Sequence, residues 1–442
     1  MKKLLLQTLK SKLLGAGALL AASALVSKLF GLWRDRVFLE FFQADGQSDL
    51  IFAAFRIPDF FYFILIAGTV SAVVIPRVHQ AKTKTDQYLF LNSFLLFLGV
   101  IFGLFCLFGA LFPQYLTPLF AGGFEPQQQA VISHLSRYLF GSVFLLSFSS
   151  ILIAFHQAHE RFLTSALNPV LYMASVALGT KLLAPQMGLN AIGVAAVTGA
   201  ALHLGSSIVY TKWSSAPTIN WKKPVYLWKN LLSDFGYRLI NGGAFQVNQS
   251  ADVFIASFLI AGSLSSFSIG SALGHILLSI VGFSIGTIFF PKLSQTIHQP
   301  QKQKRIVLQG VSLALLLTVP FSLICAGFAP QIVELLYNPQ PHILNMTSMV
   351  FFWTVLSLPM ACLNPLLSKT FFANNQNHVP TITTVTSLLL ATSTAAVLAL
   401  QVFTGEQAVL GLAFGNFIAN TLNACLLGFL LWRYYQKTNN KT

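Results

Sequence analysis

Residues 90–112 read FLNSFLLFLGVIFGLFCLFGALF and carry no charged side chain. The hydrocarbon core of a bilayer is about 30 Å thick, and a helix needs roughly 20 apolar residues to cross it. Lipid offers no hydrogen bonds to exposed backbone, so a crossing segment of this kind is helical. The stretch therefore predicts a transmembrane α-helix. The whole chain shares its character, with 55% hydrophobic and 9% charged residues.

Eleven further stretches have a similar length and apolar composition. The predicted spans are 13–33, 49–75, 90–112, 134–155, 164–183, 190–211, 231–260, 266–290, 306–328, 344–370, 380–402 and 408–432. The first follows a basic segment, but its apolar core runs straight into the polar residues 27–35, so we expect a retained helix and not a cleaved signal peptide. The sequence predicts an all-α polytopic membrane protein with about twelve transmembrane helices.

Lys and Arg residues fall on alternate sides of these spans. They occupy 2–12, 77–84, 161, 212–229, 292–305, 369 and 433–441, whereas the loops at 113–133, 184–189, 261–265, 329–343 and 403–407 hold neither. Because cytoplasmic loops collect these residues, both termini are expected in the cytoplasm. Topology and contact with anionic lipids then explain the net charge of +15, without a nucleic-acid partner.

The chain divides into two similar halves. We predict an N-terminal lobe over 1–211, a cytoplasmic interfacial linker over 212–230 and a C-terminal lobe over 231–442. Segments about 215 positions apart resemble each other, namely 35–46 with 250–261 and 73–80 with 288–295. Six spans in each half predict a parallel repeat related by a pseudo-two-fold axis along the membrane normal.

The ionisable residues inside predicted spans concentrate in the first half. Lys28 and Arg34 lie on the first span, whereas Asp49 opens the second span and Arg56 lies within it. Such residues are costly in lipid and usually face a cavity or a partner. We predict that Lys28, Arg34 and Arg56 bind an anionic substrate, since guanidinium groups bind phosphate bidentately, and that Asp49 belongs to the same substrate-binding cavity. The alternative is that Arg34 reaches the membrane surface and Arg56 pairs with Asp59.

A second polar series lies on the seventh span. Arg238, Asn248 and Asp252 fall on one helical face, which is expected to look into a lumen. Asp252 is a candidate site for a coupling cation, either Na⁺ or H⁺; pairing with an arginine of the first half is the alternative.

The sequence contains no arrangement typical of a catalytic site. His156 and His159 lie three residues apart, without the four-residue spacing and internal Glu of the zinc hydrolase motif. We also find no nucleophile elbow, phosphate-binding loop, paired acid and base, or dinucleotide fingerprint. The chain is therefore predicted not to be an enzyme, and to need no cofactor other than a coupling cation or the membrane potential.

Several motifs resemble those of the MurJ/MviN lipid II flippases. The segments SKLFGLWRD at 27–35, SDLIFAAFRIP at 48–58 and AGTVSAVVIP at 67–76 are similar to the opening of that family. Further similar segments are AFHQAHERF at 154–162 and FFANNQNHVP at 371–380. The resemblance covers nearly the whole chain. On the family pattern Lys28 stands at a usual Arg, while Arg34, Asp49 and Arg56 match directly.

The resemblance implies a two-lobed transporter with a cationic central cavity. It also implies alternating-access transfer of undecaprenyl-pyrophosphate-linked peptidoglycan precursor to the outer leaflet, in support of cell-wall synthesis and cell shape, with peptidoglycan synthesis and division proteins as partners. Tyr62 and Ala272 depart from the family pattern, because each stands where the family carries an Arg. Two alternatives stay open: a cation-coupled exporter of another lipid-linked saccharide or small amphiphile, and a non-transporting cell-wall scaffold.

Overall fold

The computed structural model describes residues 2–43, 46–67, 70–211, 243, 245–297 and 299–439. Helices dominate these ranges, and no β-strand occurs in them. The chain forms two compact units. The first comprises Met1–Phe42 and Leu50–Val247, and the second comprises Gln43–Asp49 and Asn248–Thr442. The linker predicted at 212–230 lies outside the described residues.

The helices of the first unit follow each other in sequence with short connections. They are α1 (Lys2–Phe42), α2 (Gln47–Tyr62), α3 (Val70–Gln80), α4 (Lys84–Leu111), α5 (Pro113–Ala121), α6 (Pro126–Ala158), α7 (Leu163–Met187) and α8 (Asn190–Tyr210). The first turn of α2 belongs to the second unit. A π-helical turn over Phe63–Ala67 follows α2, one turn after Pro58, whose ring removes a backbone donor from the helix.

The second unit has the same succession of helices. They are α9 (245–256), whose residues up to Val247 belong to the first unit, α10 (Ser263–Gln295), α11 (Pro300–Gly327), α12 (Ala329–Tyr337), α13 (Pro341–Ala373), α14 (His378–Val397) and α15 (Val409–Asn439). A π-helical turn over Leu398–Val402 extends α14.

The all-α polytopic fold predicted from the sequence is confirmed. Eight helices within the described ranges are long and apolar enough to cross a membrane. The other four predicted spans fall on α1, on α2 with α3, on α9 and on α10. Two short helices, α5 and α12, lie within 113–133 and 329–343, which the charge and apolar pattern predicts to be loops.

The predicted repeat is visible in the positions of the helices. The first residues of α4 and α11, Lys84 and Pro300, lie 216 positions apart. The backbone repeats as well, because Glu160 and Asn375 have left-handed φ angles of 58° and 57° at an offset of 215. Such a conformation is uncommon for residues other than glycine. Its recurrence at one offset supports a common plan for the two halves.

A pair of glutamines also follows the repeat. In the second unit, Gln303 donates to the carbonyl of Leu293 at 3.1 Å and accepts from Asn374 at 3.1 Å and from the hydroxyl of Tyr435 at 3.0 Å. In the first unit, the equivalent Gln87 donates to Val78 at 3.2 Å and contacts the Nε2 atom of His159 at 3.1 Å. Gln303 is only 1% exposed, whereas Gln87 is half-buried.

We expect Gln303→Leu to destabilise the protein more than Gln87→Leu. The first substitution removes three hydrogen bonds, one each of Tyr435, Asn374 and the Leu293 carbonyl, and each such bond contributes about 0.5–1.5 kcal/mol. The second substitution leaves groups that water can reach. Thermal unfolding of the two purified variants in detergent measures the difference. Equal melting temperatures would contradict the structural role of Gln303.

Candidate functional site

The side chain of Arg34 lies on α1 against aromatic rings. Its Cζ atom is 5.5 Å from the ring centre of Phe38 and 5.8 Å from that of Phe55. Its Nε and Nη2 atoms donate to Oδ1 of Asp35 at 2.9 and 2.6 Å. Asp35 is 3% exposed, so the two side chains form an ion pair within the first unit. Asp35 therefore offsets the positive charge of Arg34, which the sequence predicts to be available to a substrate.

Arg56 lies on α2 and is held by neutral oxygen atoms. Its Nη2 atom donates to the backbone carbonyl of Gln246 at 2.7 Å and to its side-chain Oε1 at 2.9 Å. Gln246 lies in the first turn of α9 and is 9% exposed. The two residues are 190 positions apart, and only the fold brings them together.

Asp59 connects the two arginines electrostatically, since it interacts with both Arg34 and Arg56. Tyr172 of α7 interacts in the same way with Arg34 and Asp59, and its hydroxyl lies 3.4 Å from Ser142. All four side chains are half-buried, which leaves part of each accessible. We call Arg34, Arg56, Asp59 and Tyr172 the arginine cluster. It offers guanidinium and phenol donors to an anionic group.

The two other residues predicted to bind substrate have different surroundings. Lys28 is half-buried on α1, six residues and about 9 Å before Arg34 along the helix. Asp49 is 3% exposed and caps α10, where its Oδ2 and Oδ1 atoms accept from the backbone N–H groups of Gly262 at 2.8 Å and Ser265 at 2.7 Å. Carboxylates are favoured at helix N-termini. The structure thus gives Asp49 a capping role in place of the predicted substrate contact.

The polar residues of the seventh span are buried inside the second unit. Asn248 and Asp252, 5% and 4% exposed, contact each other through Nδ2 and Oδ2 at 3.3 Å. Thr392 of α14 donates to Asn248 Oδ1 at 2.8 Å, and Asn416 of α15 approaches Asp252 Oδ2 at 3.4 Å. The expected lumen-facing position of this pair is wrong, because the two side chains pack against α14 and α15. Arg238 lies outside the described residues.

The histidines of the segment 156–159 have structural contacts. The two ring nitrogens of His156 lie 2.9 Å from the hydroxyls of Thr164 and Thr211, and those of His159 contact the Phe155 carbonyl and Gln87. Within the described parts of the chain, no group of three or more His, Cys, Asp or Glu side chains is arranged to hold a metal ion.

The family described as lipid II flippase MurJ matches residues 39–442. The chain belongs to this family. The match begins after Lys28 and Arg34, so the assignment rests on the rest of the chain. The resemblance predicted from the motifs is confirmed, and with it a role in transport and not in catalysis. MurJ membership also places the chain among multi-pass membrane proteins of peptidoglycan synthesis.

Individual MurJ relatives cover most of the chain. A probable lipid II flippase MurJ of Thermotoga maritima is 25% identical over 81% of this chain and 74% of its own length. One of Bdellovibrio bacteriovorus is 24% identical over 96% of this chain and 83% of its own length. Among solved structures, a lipid II flippase MurJ in an inward closed conformation has a TM-score of 0.79 at 19% identity, and covers 93% of this chain and 87% of its own.

A structure of another transporter family shares the fold. An inward-facing multidrug resistance MATE family transporter has a TM-score of 0.75 at 14% identity, and covers 93% of this chain and 96% of its own. At this identity the likeness concerns the architecture alone.

Sequence reasoning missed several partners in both units. It did not predict Gln246, Tyr172, Thr392 or Asn416, although each contacts or electrostatically influences a residue that it singled out. These residues are uncharged, and uncharged polar residues within apolar spans are too common to stand out. The helical spacing of Asn416, Asn420 and Asn423 on α15 was the one available signal.

Proposed function

We propose that this protein moves lipid II, the undecaprenyl-pyrophosphate-linked peptidoglycan precursor, from the inner to the outer leaflet by alternating access. The arginine cluster carries the proposal, because it keeps two guanidinium groups partly accessible within a unit made of membrane-spanning helices. Charged groups at such a depth are retained where they meet a substrate or a partner. Membership of the MurJ family supports lipid II as that substrate.

The contacts of Arg56 indicate how the anion is taken up. Its Nη2 atom is held by two oxygens of Gln246, which are neutral. A negatively charged pyrophosphate oxygen adds a Coulomb attraction that these neutral oxygens lack, so it competes well for this guanidinium. Arg34 stays balanced by Asp35 and contributes its remaining donors, and Lys28 meets the anion earlier on α1. The pyrophosphate thereby regains part of the hydration that it loses in the membrane.

The second unit supplies a candidate coupling site. The oxygen atoms of Asp252, Asn248, Thr392 and Asn416 are hard ligands, of the kind that suits Na⁺ or a proton on the carboxylate. The membrane potential is a further source of energy, because an elementary charge that crosses 100 mV gains or loses about 2.3 kcal/mol. With a negative interior, outward movement of an anion is favourable.

The proposal includes the orientation and location of the protein. Both termini lie in the cytoplasm, as the positions of Lys and Arg favour, and the membrane is the bacterial inner membrane, which membership of the MurJ family supports. Lipid II, the surrounding lipids, and proteins of peptidoglycan synthesis and division are its partners.

Reconstitution of the purified full chain into liposomes tests the function. Fluorescent lipid II in the starting leaflet is expected to become accessible to a membrane-impermeant quencher on the other side faster than in protein-free liposomes. A labelled phospholipid and a cationic amphiphile serve as competing cargoes. Movement of the amphiphile alone would indicate an exporter. Failure to move any cargo, in a protein that elutes as a folded species, would support a scaffold and overturn the proposal.

A further inference from the structure

Helices α14 and α15 pack closely through small residues in one part of their interface. A Cβ atom on Gly411 would lie 2.9 Å from that of Ala399, and one on Gly415 would lie 2.7 Å from that of Ala395. The contacts run antiparallel, and further along α15 Asn423 meets Thr384 at 3.4 Å. This register places Ser387 opposite the turn that carries Asn420.

The interface becomes polar toward the C-terminal end of α15. Asn416, Asn420 and Asn423 lie at i, i+4 and i+7 and so share one face of α15. Asn364 of α13 approaches Asn420 at 3.4 and 3.5 Å. We call Asn364, Thr384, Ser387, Asn420 and Asn423 the asparagine seam. It begins one helical turn beyond Asn416, which contacts Asp252.

The seam contains buried oxygen atoms without partners. Among the residues that the structure describes, Asn364 Oδ1, Asn423 Oδ1 and Ser387 Oγ accept or donate no hydrogen bond. Asn423 is 7% exposed and Ser387 is 1% exposed. An unsatisfied polar group in a membrane interior is costly, and buried groups of this kind normally have a partner. Three such oxygens on three neighbouring helices indicate a ligand.

The unpartnered atoms of the seam are neutral oxygens, and this composition indicates the class of ligand. The amide nitrogens of Asn364 and Asn423 are directed at Asn420 and Thr384, so the amide oxygens of Asn364 and Asn423 are left without a partner. Oxygen atoms of this kind bind cations. All members are neutral, and none changes its protonation state at ordinary pH, which excludes a proton carried by a side chain. A site built from neutral oxygen atoms alone favours a monovalent cation over a divalent one, which normally binds to carboxylates. The ligand is therefore a monovalent cation, such as Na⁺.

We propose that the asparagine seam is a second Na⁺ subsite, through which the ion passes to or from Asp252. This inference rests on the proposed cation coupling and deepens it. Conduction through a protein requires several sites that each bind weakly enough to release the ion. About 10 Å separates Asn416 from Asn423 along α15, a distance that a single coordination shell does not span. The neutral asparagine seam next to the charged Asp252 provides a second site, and a site without charge binds the ion weakly enough to release it.

Binding of radioactive ²²Na⁺ to the purified full chain, measured without lipid II, tests the inference. Two ions per chain are expected in the parent and one in Asn423→Leu. Ser393→Ala is the matched control, because Ser393 is exposed on α14 and its hydroxyl donates to the Leu389 carbonyl of its own helix. It should retain both ions. Unchanged stoichiometry in a folded Asn423→Leu would overturn the proposal.

A second variant distinguishes the loss of an ion site from the loss of folding, because it is expected to increase binding. Asn423→Asp adds a negative ligand to the seam and is expected to raise the affinity for Na⁺ by about tenfold at pH 8, as added ligand charge does in other cation sites. A seam that holds only water would show no such gain, and this result would also overturn the proposal. These assays contain no lipid II, so their outcome does not depend on whether the protein transports lipid II. Asp252→Asn reports separately on the first site.

Discussion

Arg56→Ala is expected to lower the initial rate of lipid II flipping in liposomes tenfold or more. A hydrogen bond to a charged group contributes about 1.5–3 kcal/mol, and 1.4 kcal/mol corresponds to a factor of ten. The guanidinium of Arg56 is held by the neutral carbonyl and amide oxygens of Gln246, so its removal leaves no charged group there, and Asp59 keeps Arg34 as an electrostatic partner. The melting temperature should therefore change little while transport falls.

Two further variants separate charge from geometry. Arg56→Lys keeps the positive charge and loses the planar fork, so we expect an intermediate rate. Gln246→Glu places a carboxylate 2.9 Å from the guanidinium, where it forms an internal ion pair that competes with pyrophosphate. Its rate should fall as far as that of Arg56→Ala. Parental transport in Gln246→Glu would show that Arg56 does not meet the substrate anion.

Arg433→Ala is the matched control for these variants. Arg433 lies 5.7 Å from the ring centre of Phe429 and is exposed near the end of α15. Its removal should leave the flipping rate within about twofold of the parent, since exposed charges contribute little. An equal loss in Arg433→Ala and Arg56→Ala would point to a general effect of positive charge and not to a defined site.

Asp49→Ala is expected to produce the second large effect, a loss of stability. Gly262, the residue that precedes α10, has no side chain to cap the helix, and Asp49 supplies both acceptors from 213 positions away. Removal of a cap costs about 0.5–2 kcal/mol, and each buried N–H left without an acceptor adds about 1–3 kcal/mol. Thermal unfolding in detergent should show a marked decrease in melting temperature.

Asp49→Asn distinguishes the capping role from the substrate contact predicted from the sequence. Asparagine keeps one of the two acceptor oxygens and turns its amide nitrogen toward the other N–H group, so stability should fall less than in Asp49→Ala. The flipping rate per folded molecule should stay near that of the parent. A folded Asp49→Asn protein that no longer flips lipid II would contradict the capping role, because it would require the negative charge itself. The comparison thus decides between two functions of one carboxylate.

The polytopic helical fold and the repeat of the two halves follow from the sequence alone. Apolar length and the placement of Lys and Arg are local properties, and in lipid the backbone must satisfy its hydrogen bonds within each span. Residues 90–112 therefore predict a helix without any knowledge of their neighbours. Arg34 and Arg56 were also visible, because an ionised side chain in an apolar stretch is conspicuous wherever it packs.

The partners of these residues depend on the tertiary structure. Gln246 reaches Arg56, and Asp49 reaches α10, across about 200 positions of intervening chain. The asparagine seam likewise needs three helices in register before its oxygen atoms meet. Hydrogen bonds act over about 3 Å, so the residues that share them are set by helix packing. Helix packing depends on the summed contacts of whole faces, which no single segment of sequence contains.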